Sequence, residues 1–131
     1  MRIILADQHV QPLWALKTTL AEQSEFDIIG EAKDAQGLLR LAEEQPPDLI
    51  LVDNELLGGT IEHLIARLHA LAPIPIIIVM SSEIDCSRMA LKAGADAFVS
   101  KGDQPDWLLE KLHKYAIQIK MKEDANREKN S

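Results

Sequence analysis

The stretch DLILVD, residues 48–53, carries the clearest strand signal in the chain. Four consecutive apolar residues lie between two aspartates, and the pair Pro46 and Pro47 precedes them. A short apolar run bounded by turn residues predicts a strand that is buried on both faces. Strands of that kind are typical of parallel sheets, in which helices cover both faces. We therefore predict that residues 48–53 form a buried strand of a parallel sheet.

Outward from this stretch, short apolar runs alternate with segments whose apolar residues have helical spacing. Five strands alternating with five helices predict an α/β fold built from βαβ units. Of the two common strand orders for open sheets of this kind, the flavodoxin-like order 2-1-3-4-5 suits five strands. The other predicted strands are residues 3–6, 26–32, 76–80 and 97–99.

Length and composition limit the possible functions. The 131 residues suit one domain, which we place at residues 1–120. Few apolar residues follow, so residues 121–131 are predicted to be a polar, disordered tail. Acidic residues outnumber basic ones by 21 to 14, which argues against direct nucleic-acid binding by this domain. The single cysteine, Cys86, excludes an internal disulfide and favours a cytoplasmic protein. No run is long enough to span a membrane.

Acidic residues follow two of the predicted strands at one edge of the sheet. Ligands of open parallel sheets bind beyond the carboxyl ends of the strands, where the strand order reverses; here that is between the first and third strands. Asp7 ends the first strand and Asp53 ends the third. Two carboxylates repel each other unless a cation lies between them. Lys101 ends the fifth strand, and either Ser81 or Ser82 ends the fourth.

These residue types suit phosphoryl transfer. A carboxylate can act as a nucleophile and form an aspartyl phosphate. The transfer itself needs positioning and charge neutralisation more than covalent assistance. Mg²⁺ binds carboxylate and phosphate oxygens, a lysine adds a second positive charge, and a serine hydroxyl can donate to phosphate.

Four motifs carry a resemblance to a known family. Over residues 2 to about 115 the chain resembles the receiver domains of two-component response regulators. The stretches IGEA and AGAD are most similar to receivers that precede helix-turn-helix output domains. The four motifs are LADQH (5–9), IGEAKDA (29–35), PDLILVD (47–53) and ALKAGADAFVSK (90–101).

The resemblance implies a role for each matching residue. Asp53 is the phosphoacceptor, Asp7 belongs to a Mg²⁺ site, and Lys101 contacts the phosphate. Glu55 would offer its backbone carbonyl to the metal. Phe98 matches the switch aromatic of the fifth strand, although an ordinary core aromatic would look the same in sequence.

The resemblance also implies partners. A histidine kinase or phosphotransfer protein would donate the phosphoryl group, and a longer chain would carry a C-terminal DNA-binding output domain. The face formed by helix 4, strand 5 and helix 5 would respond to phosphorylation and could form a homodimer.

Three positions depart from the family pattern. Gln8 stands where a second acidic residue usually ligates the metal, so we expect weakened Mg²⁺ binding. Leu57 stands where a proline is usual, and Gly102 follows Lys101 where proline or aspartate is common, so the cis Lys-Pro bond of the family is not expected. The loop after the fourth strand is shorter than usual, which leaves the hydroxyl open between Ser81, which we prefer, and Ser82.

Other interpretations compete with these. Asp53 and Asp7 could cap helices, or the domain could be a degenerate receiver that binds a partner without phosphorylation. A hydrolase of the haloacid-dehalogenase type would need an aspartate where Glu55 stands and a nucleophile on the first strand, so we do not expect an enzyme. A flavin- or nucleotide-binding role is not expected either, because no strand is followed by a Gly-rich phosphate loop. Trp14 and Trp107 are predicted to pack in the core. The histidines lack ligand spacing and are expected at the surface: His9, His63, His69 and His113.

Overall fold

The computed structural model describes residues 1–101 and 105–129, and it contains five strands and five α-helices in strict alternation. A short 3-10 turn, Ile84–Cys86, precedes the fourth helix. The strands are β1 Arg2–Ala6, β2 Asp27–Ala32, β3 Leu49–Asp53, β4 Ile76–Ser81 and β5 Ala97–Ser100. The helices are α1 Val10–Ala21, α2 Ala35–Glu44, α3 Ile61–Leu68, α4 Ser87–Lys92 and α5 Pro105–Lys129.

The strands form one parallel sheet in the order β2-β1-β3-β4-β5, so the predicted fold class and topology are confirmed. Ala6 pairs with Val52, which brings the next residues of the two strands side by side. Ser81 pairs with Ser100 at the far end of β4 and β5. This register places the carboxyl ends of β1, β3, β4 and β5 along one edge of the sheet.

Two apolar cores lie on opposite faces of the sheet. Successive side chains of β3 alternate between them: Ile50 and Val52 face the core beneath α2, α3 and α4, whereas Leu49 and Leu51 face the core beneath α1 and α5. All four are fully buried. Each such side chain contributes roughly 1.5–3 kcal/mol through burial. The continuous apolar run of this strand is therefore a consequence of its two covered faces.

The loop after β3 approaches α2 closely. Leu57 O accepts a 2.7 Å hydrogen bond from Ala35 N–H, the first residue of α2. Gly58, with a φ of 109°, lies against the same residue, and a Cβ there would be 3.1 Å from Ala35 Cβ. The left-handed backbone and this contact both favour glycine at position 58.

Two expectations differ from the structure. Trp14 and Trp107 are 67% and 63% exposed, because the adjacent residues Leu13 and Leu108 take the buried positions of their helices.

Helix α5 continues to Lys129, through nine exposed residues, 121–129, that we expected to be disordered. That segment is rich in Lys and Glu, which are good helix formers, and it contains neither glycine nor proline. A domain boundary at residue 120 stays a prediction.

Within residues 1–101 and 105–129, no helix is both long enough and apolar enough to cross a bilayer.

Candidate functional site

Three polar side chains are buried in the part of the chain that the structure describes, and all three lie at the carboxyl edge of the sheet. Asp7, Asp53 and Ser81 are 0%, 2% and 2% exposed. Asp7 follows β1 directly, and the other two are the last residues of β3 and β4. Burying polar side chains costs free energy unless they are paired, so their concentration at one edge marks a candidate functional site.

Lys101 connects the two carboxylates. Its Nζ donates to Asp7 Oδ2 at 2.7 Å and lies 3.4 Å from Asp53 Oδ1. Its backbone N–H donates to Ser81 O at 2.8 Å, which continues the pairing of β4 and β5 by one residue. The backbone pairing at the end of the sheet thus fixes Lys101 so that its ammonium lies between the two carboxylates. A fifth of the Lys101 side chain is exposed.

The two carboxyl groups respond differently to this environment. Burial alone would raise the pKa of Asp7, but hydrogen bonds from Lys101 and from His9 N–H outweigh it, so the pKa of Asp7 is lowered. Burial raises the pKa of Asp53, and the nearby Asp7 adds to that effect. Lys101 and a hydrogen bond from Glu55 N–H only partly compensate. Asp53 is therefore the less stabilised anion of the pair.

The two candidate hydroxyls differ in position. Ser81 is buried and its Oγ accepts a 3.0 Å hydrogen bond from Glu83 N–H, which leaves its own hydroxyl hydrogen available to donate. Ser82 is exposed. Ser81 is thus the buried one of the two serines and ends β4, and its role as the strand-four hydroxyl stays a prediction.

His9, which we expected at the surface without a ligand role, lies at the same site. Its Nδ1 is 3.1 Å from Asp7 Oδ1 and 3.7 Å from Asp53 Oδ2. Donor atoms of Asp7, His9 and Asp53 all lie within 4.8 Å of one another. The signal available in the sequence was position: His9 is two residues beyond Asp7, in the loop at the carboxyl edge.

A divalent cation fits this arrangement. Asp53 Oδ2 is buried and has no hydrogen-bond partner among the described residues, which is an unfavourable state for a carboxylate oxygen unless a cation compensates it. Asp7 and Asp53 supply hard anionic oxygens of the kind that Mg²⁺ prefers. Gln8 is partly buried beside them and adds no charge. Glu55 is exposed, and its N–H rather than its side chain contacts Asp53.

Phe98 is half-buried in β5, between the buried residues Ala97 and Val99. Its ring packs against the core beneath α2, α3 and α4. Both roles considered for it, switch aromatic and core residue, are compatible with this position.

Receiver domains of response regulators have this strand order. They also have buried aspartates where the strand order reverses and a lysine beside them, as this chain does. The family model for the response regulator receiver domain matches residues 3–113, so the chain belongs to this family. Receiver domains are signalling domains.

Two curated relatives are regulatory proteins longer than this chain. The chain is 30% identical over 118 residues to the nitrate/nitrite response regulator protein NarL of Escherichia coli strain K12, covering 87% of this chain and 54% of that protein. It is 32% identical over 111 residues to the uncharacterized transcriptional regulatory protein YhcZ of Bacillus subtilis, covering 83% and 52%. The chain therefore spans about half the length of these relatives.

Solved structures show the same fold. The response regulatory domain of protein mrkE from Klebsiella pneumoniae aligns with a TM-score of 0.83 at 17% identity, covering 92% of this chain and 99% of that one. RcsB from Salmonella enterica serovar Typhimurium, bound to promoter rprA in the presence of phosphomimetic BeF3-, aligns with a TM-score of 0.79 at 22% identity, covering 86% and 66%.

Proposed function

We propose that this receiver domain is phosphorylated on Asp53 by a histidine kinase or a phosphotransfer protein, in a reaction that depends on Mg²⁺. The environment of the Asp53 carboxylate is the main support for the proposal. The carboxylate is buried, its Oδ2 has no hydrogen-bond partner in the described residues, and Lys101 Nζ lies 3.4 Å from its Oδ1. A nucleophilic oxygen is thus available beside a positive charge that can stabilise an incoming phosphoryl group.

The transfer forms a bond between an Asp53 carboxylate oxygen and phosphorus, while the bond from phosphorus to the donor's histidine nitrogen breaks. The electron pair of the broken bond leaves with the imidazole. Lys101 and the hydroxyl of Ser81 would then bind phosphate oxygens, so both stabilise negative charge in the transition state. Mg²⁺ held by Asp7 and Asp53 would supply further charge neutralisation.

Phosphorylation would be transmitted through the strand ends that hold these donors. The aspartyl phosphate carries about −2 charges where the carboxylate carried −1, and it presents three new acceptor oxygens. Lys101 and Ser81 can follow it only if the ends of β5 and β4 and the adjacent loops move. We propose that the face of α4, β5 and α5, including Phe98, changes in response and forms the signalling or homodimer surface.

The output belongs to a longer protein. Because the chain spans about half of its curated relatives, we propose a C-terminal DNA-binding domain in the complete regulator. The promoter complex of RcsB supports transcription regulation as that output. The free thiol Cys86 is consistent with the cytoplasm as the proposed compartment. Gln8 is the one feature that favours a phosphorylation-independent module among the described residues, and it is opposed by Asp7, Asp53 and Lys101, which lie together at the site.

Phosphorylation of the isolated chain tests the proposal. Incubation with acetyl phosphate and Mg²⁺ should add one base-labile phosphoryl group, detected by intact mass, and Asp53→Asn should abolish it completely. Asp48→Asn is the matched control, because Asp48 precedes the same strand at the opposite edge of the sheet. Unchanged labelling of Asp53→Asn would show that another residue accepts the phosphoryl group.

The choice between the two serines gives a second prediction. Ser81→Ala should slow labelling by acetyl phosphate roughly tenfold or more, because a hydrogen bond to a charged group is worth about 1.5–3 kcal/mol. Ser82→Ala, an exposed position, should change the rate by less than about twofold. Rates are compared by intact mass over time. The reverse order of the two variants would assign the hydroxyl to Ser82.

A further inference from the structure

The two carboxylates of the site each have one oxygen facing Lys101 and one facing His9. Lys101 Nζ contacts Asp7 Oδ2 and Asp53 Oδ1, whereas His9 Nδ1 is near Asp7 Oδ1 and Asp53 Oδ2. The ammonium and the imidazole therefore occupy different sides of the acid pair. Lys101 can keep its ion pairs while a cation binds on the side of His9.

The oxygen without a partner lies on the His9 side. Asp53 has a side chain that is 3% exposed, and its Oδ2, 3.7 Å from His9 Nδ1, accepts no hydrogen bond from the described residues. His9 itself is half exposed, so an ion can reach the cluster from solvent. An unpartnered buried oxygen beside a nitrogen donor indicates a site for a ligand.

The donor distances suit a metal ion. Neighbouring ligands of an ion with bonds of about 2.1 Å are about 3.0–3.4 Å apart in octahedral or tetrahedral geometry. His9 Nδ1 lies 3.1 Å and 3.7 Å from its two carboxylate oxygens, close to that spacing, and donor atoms of the three residues all lie within 4.8 Å of one another. His9 is also the N-cap of α1 and makes no side-chain capping bond, so ligation would not uncap that helix.

We propose that His9 is a ligand of the divalent cation at this site, and that the site therefore prefers a first-row transition-metal ion over Mg²⁺. The proposal rests on the proposed function for its biological setting but not for its chemistry. Imidazole nitrogen suits transition metals, whereas Mg²⁺ favours oxygen ligands and retains its waters. Gln8 removes one hard anionic ligand from the pocket, which weakens Mg²⁺ more than an ion that gains a nitrogen donor.

Calorimetric titration with Co²⁺ and with Mg²⁺ tests the proposal on the whole chain. The wild type should bind Co²⁺ more tightly than Mg²⁺. His9→Gln should lower the Co²⁺ affinity at least tenfold, since even outer-shell partners of a metal site are worth 10- to 100-fold, and should leave the Mg²⁺ affinity within about twofold. His63→Gln, an exposed histidine on α3, is the matched control and should change neither affinity.

The ratio of the two affinities carries the test, because Co²⁺ binds most sites more tightly than Mg²⁺. An unchanged ratio in His9→Gln would overturn the proposal. If that variant fails to fold, the wild type provides the readout: Co²⁺ ligated by imidazole should give a solvent-exchangeable, paramagnetically shifted ring N–H signal, and its absence at saturation would also overturn it. Labelling of Asp53 is measured separately. A failure of phosphoryl transfer with an intact Co²⁺ preference would contradict only the proposed function.

Discussion

Lys101→Met is expected to lower the free energy of unfolding by about 3 kcal/mol at neutral pH when divalent cations are chelated. Removing one partner of a buried ion pair leaves the other as an uncompensated charge, and here two carboxylates lose the same cation. Asp7 and Asp53 are nearly fully buried, so water cannot replace the ammonium without rearrangement. We take the low end of the usual range because a fifth of the Lys101 side chain is exposed.

The sign of the pH dependence follows from the two pKa shifts. In the wild type the pKa of Asp7 is lowered from its ordinary value of 3.8. Its ionised form therefore stabilises the fold at pH values above 3.8, and this stabilisation is lost as the pH falls through the lowered pKa. The pKa of Asp53 is raised, so its ionisation costs stability as the pH rises through the raised value. Without Lys101, burial would raise both pKa values, and both ionisations would then cost stability. The difference between wild type and variant should be largest at neutral pH and shrink towards about pH 4.

Urea unfolding followed by circular dichroism, in the presence of EDTA, measures this difference. The double variant Asp7→Asn with Lys101→Met should recover at least about 1 kcal/mol relative to Lys101→Met alone, because residues in one charge network are not additive. Lys92→Met, at an exposed position of α4, should stay within about 0.5 kcal/mol of the wild type. A loss for Lys101→Met that is equally large at low pH would mean that packing, not charge, accounts for it.

The fold could be predicted because its signals are local. The apolar run of β3 reports burial on both faces of a strand, and alternation with helices leaves few topologies. The positions of Asp7, Asp53 and Lys101 at one edge followed from strand order alone. Strand ends are informative since the register of a parallel sheet aligns them.

What the sequence did not reveal depends on tertiary contacts. His9 has no histidine or cysteine partner at ligand spacing, and its proximity to Asp53 arises only when β1 and β3 pair. Trp14 and Trp107 each lie next to a buried leucine of their helix. The spacing of apolar residues does not show which of two adjacent apolar residues faces the core. The sequence favoured Ser81 but left Ser82 open, because it does not show at which residue β4 ends; in the structure that residue is Ser81.

Gln8→Asp is expected to increase the Mg²⁺ affinity of the chain roughly tenfold or more. A unit charge about 4 Å from another interacts by about 4 kcal/mol at the effective dielectric constant of a protein surface, while a tenfold change in affinity needs only about 1.4 kcal/mol. Part of the gain is offset by repulsion among three carboxylates in the metal-free state. That repulsion should also lower the free energy of unfolding by about 1 kcal/mol when EDTA is present, and Mg²⁺ should reverse this loss.

The same substitution should reduce the preference for Co²⁺ over Mg²⁺, because a new carboxylate benefits the ion that favours hard oxygen ligands more than the ion that favours nitrogen. Calorimetric titrations of both proteins with both ions measure the two effects together. Gln11→Asp is the matched control: it adds the same charge to an exposed position of α1, three residues further along the chain, and should alter Mg²⁺ affinity by less than about twofold. If Gln8→Asp binds Mg²⁺ no better than the wild type, residue 8 does not face the metal. The weakness attributed to Gln8 would then have to arise from Lys101, whose ammonium already pairs with Asp7 Oδ2 and lies 3.4 Å from Asp53 Oδ1.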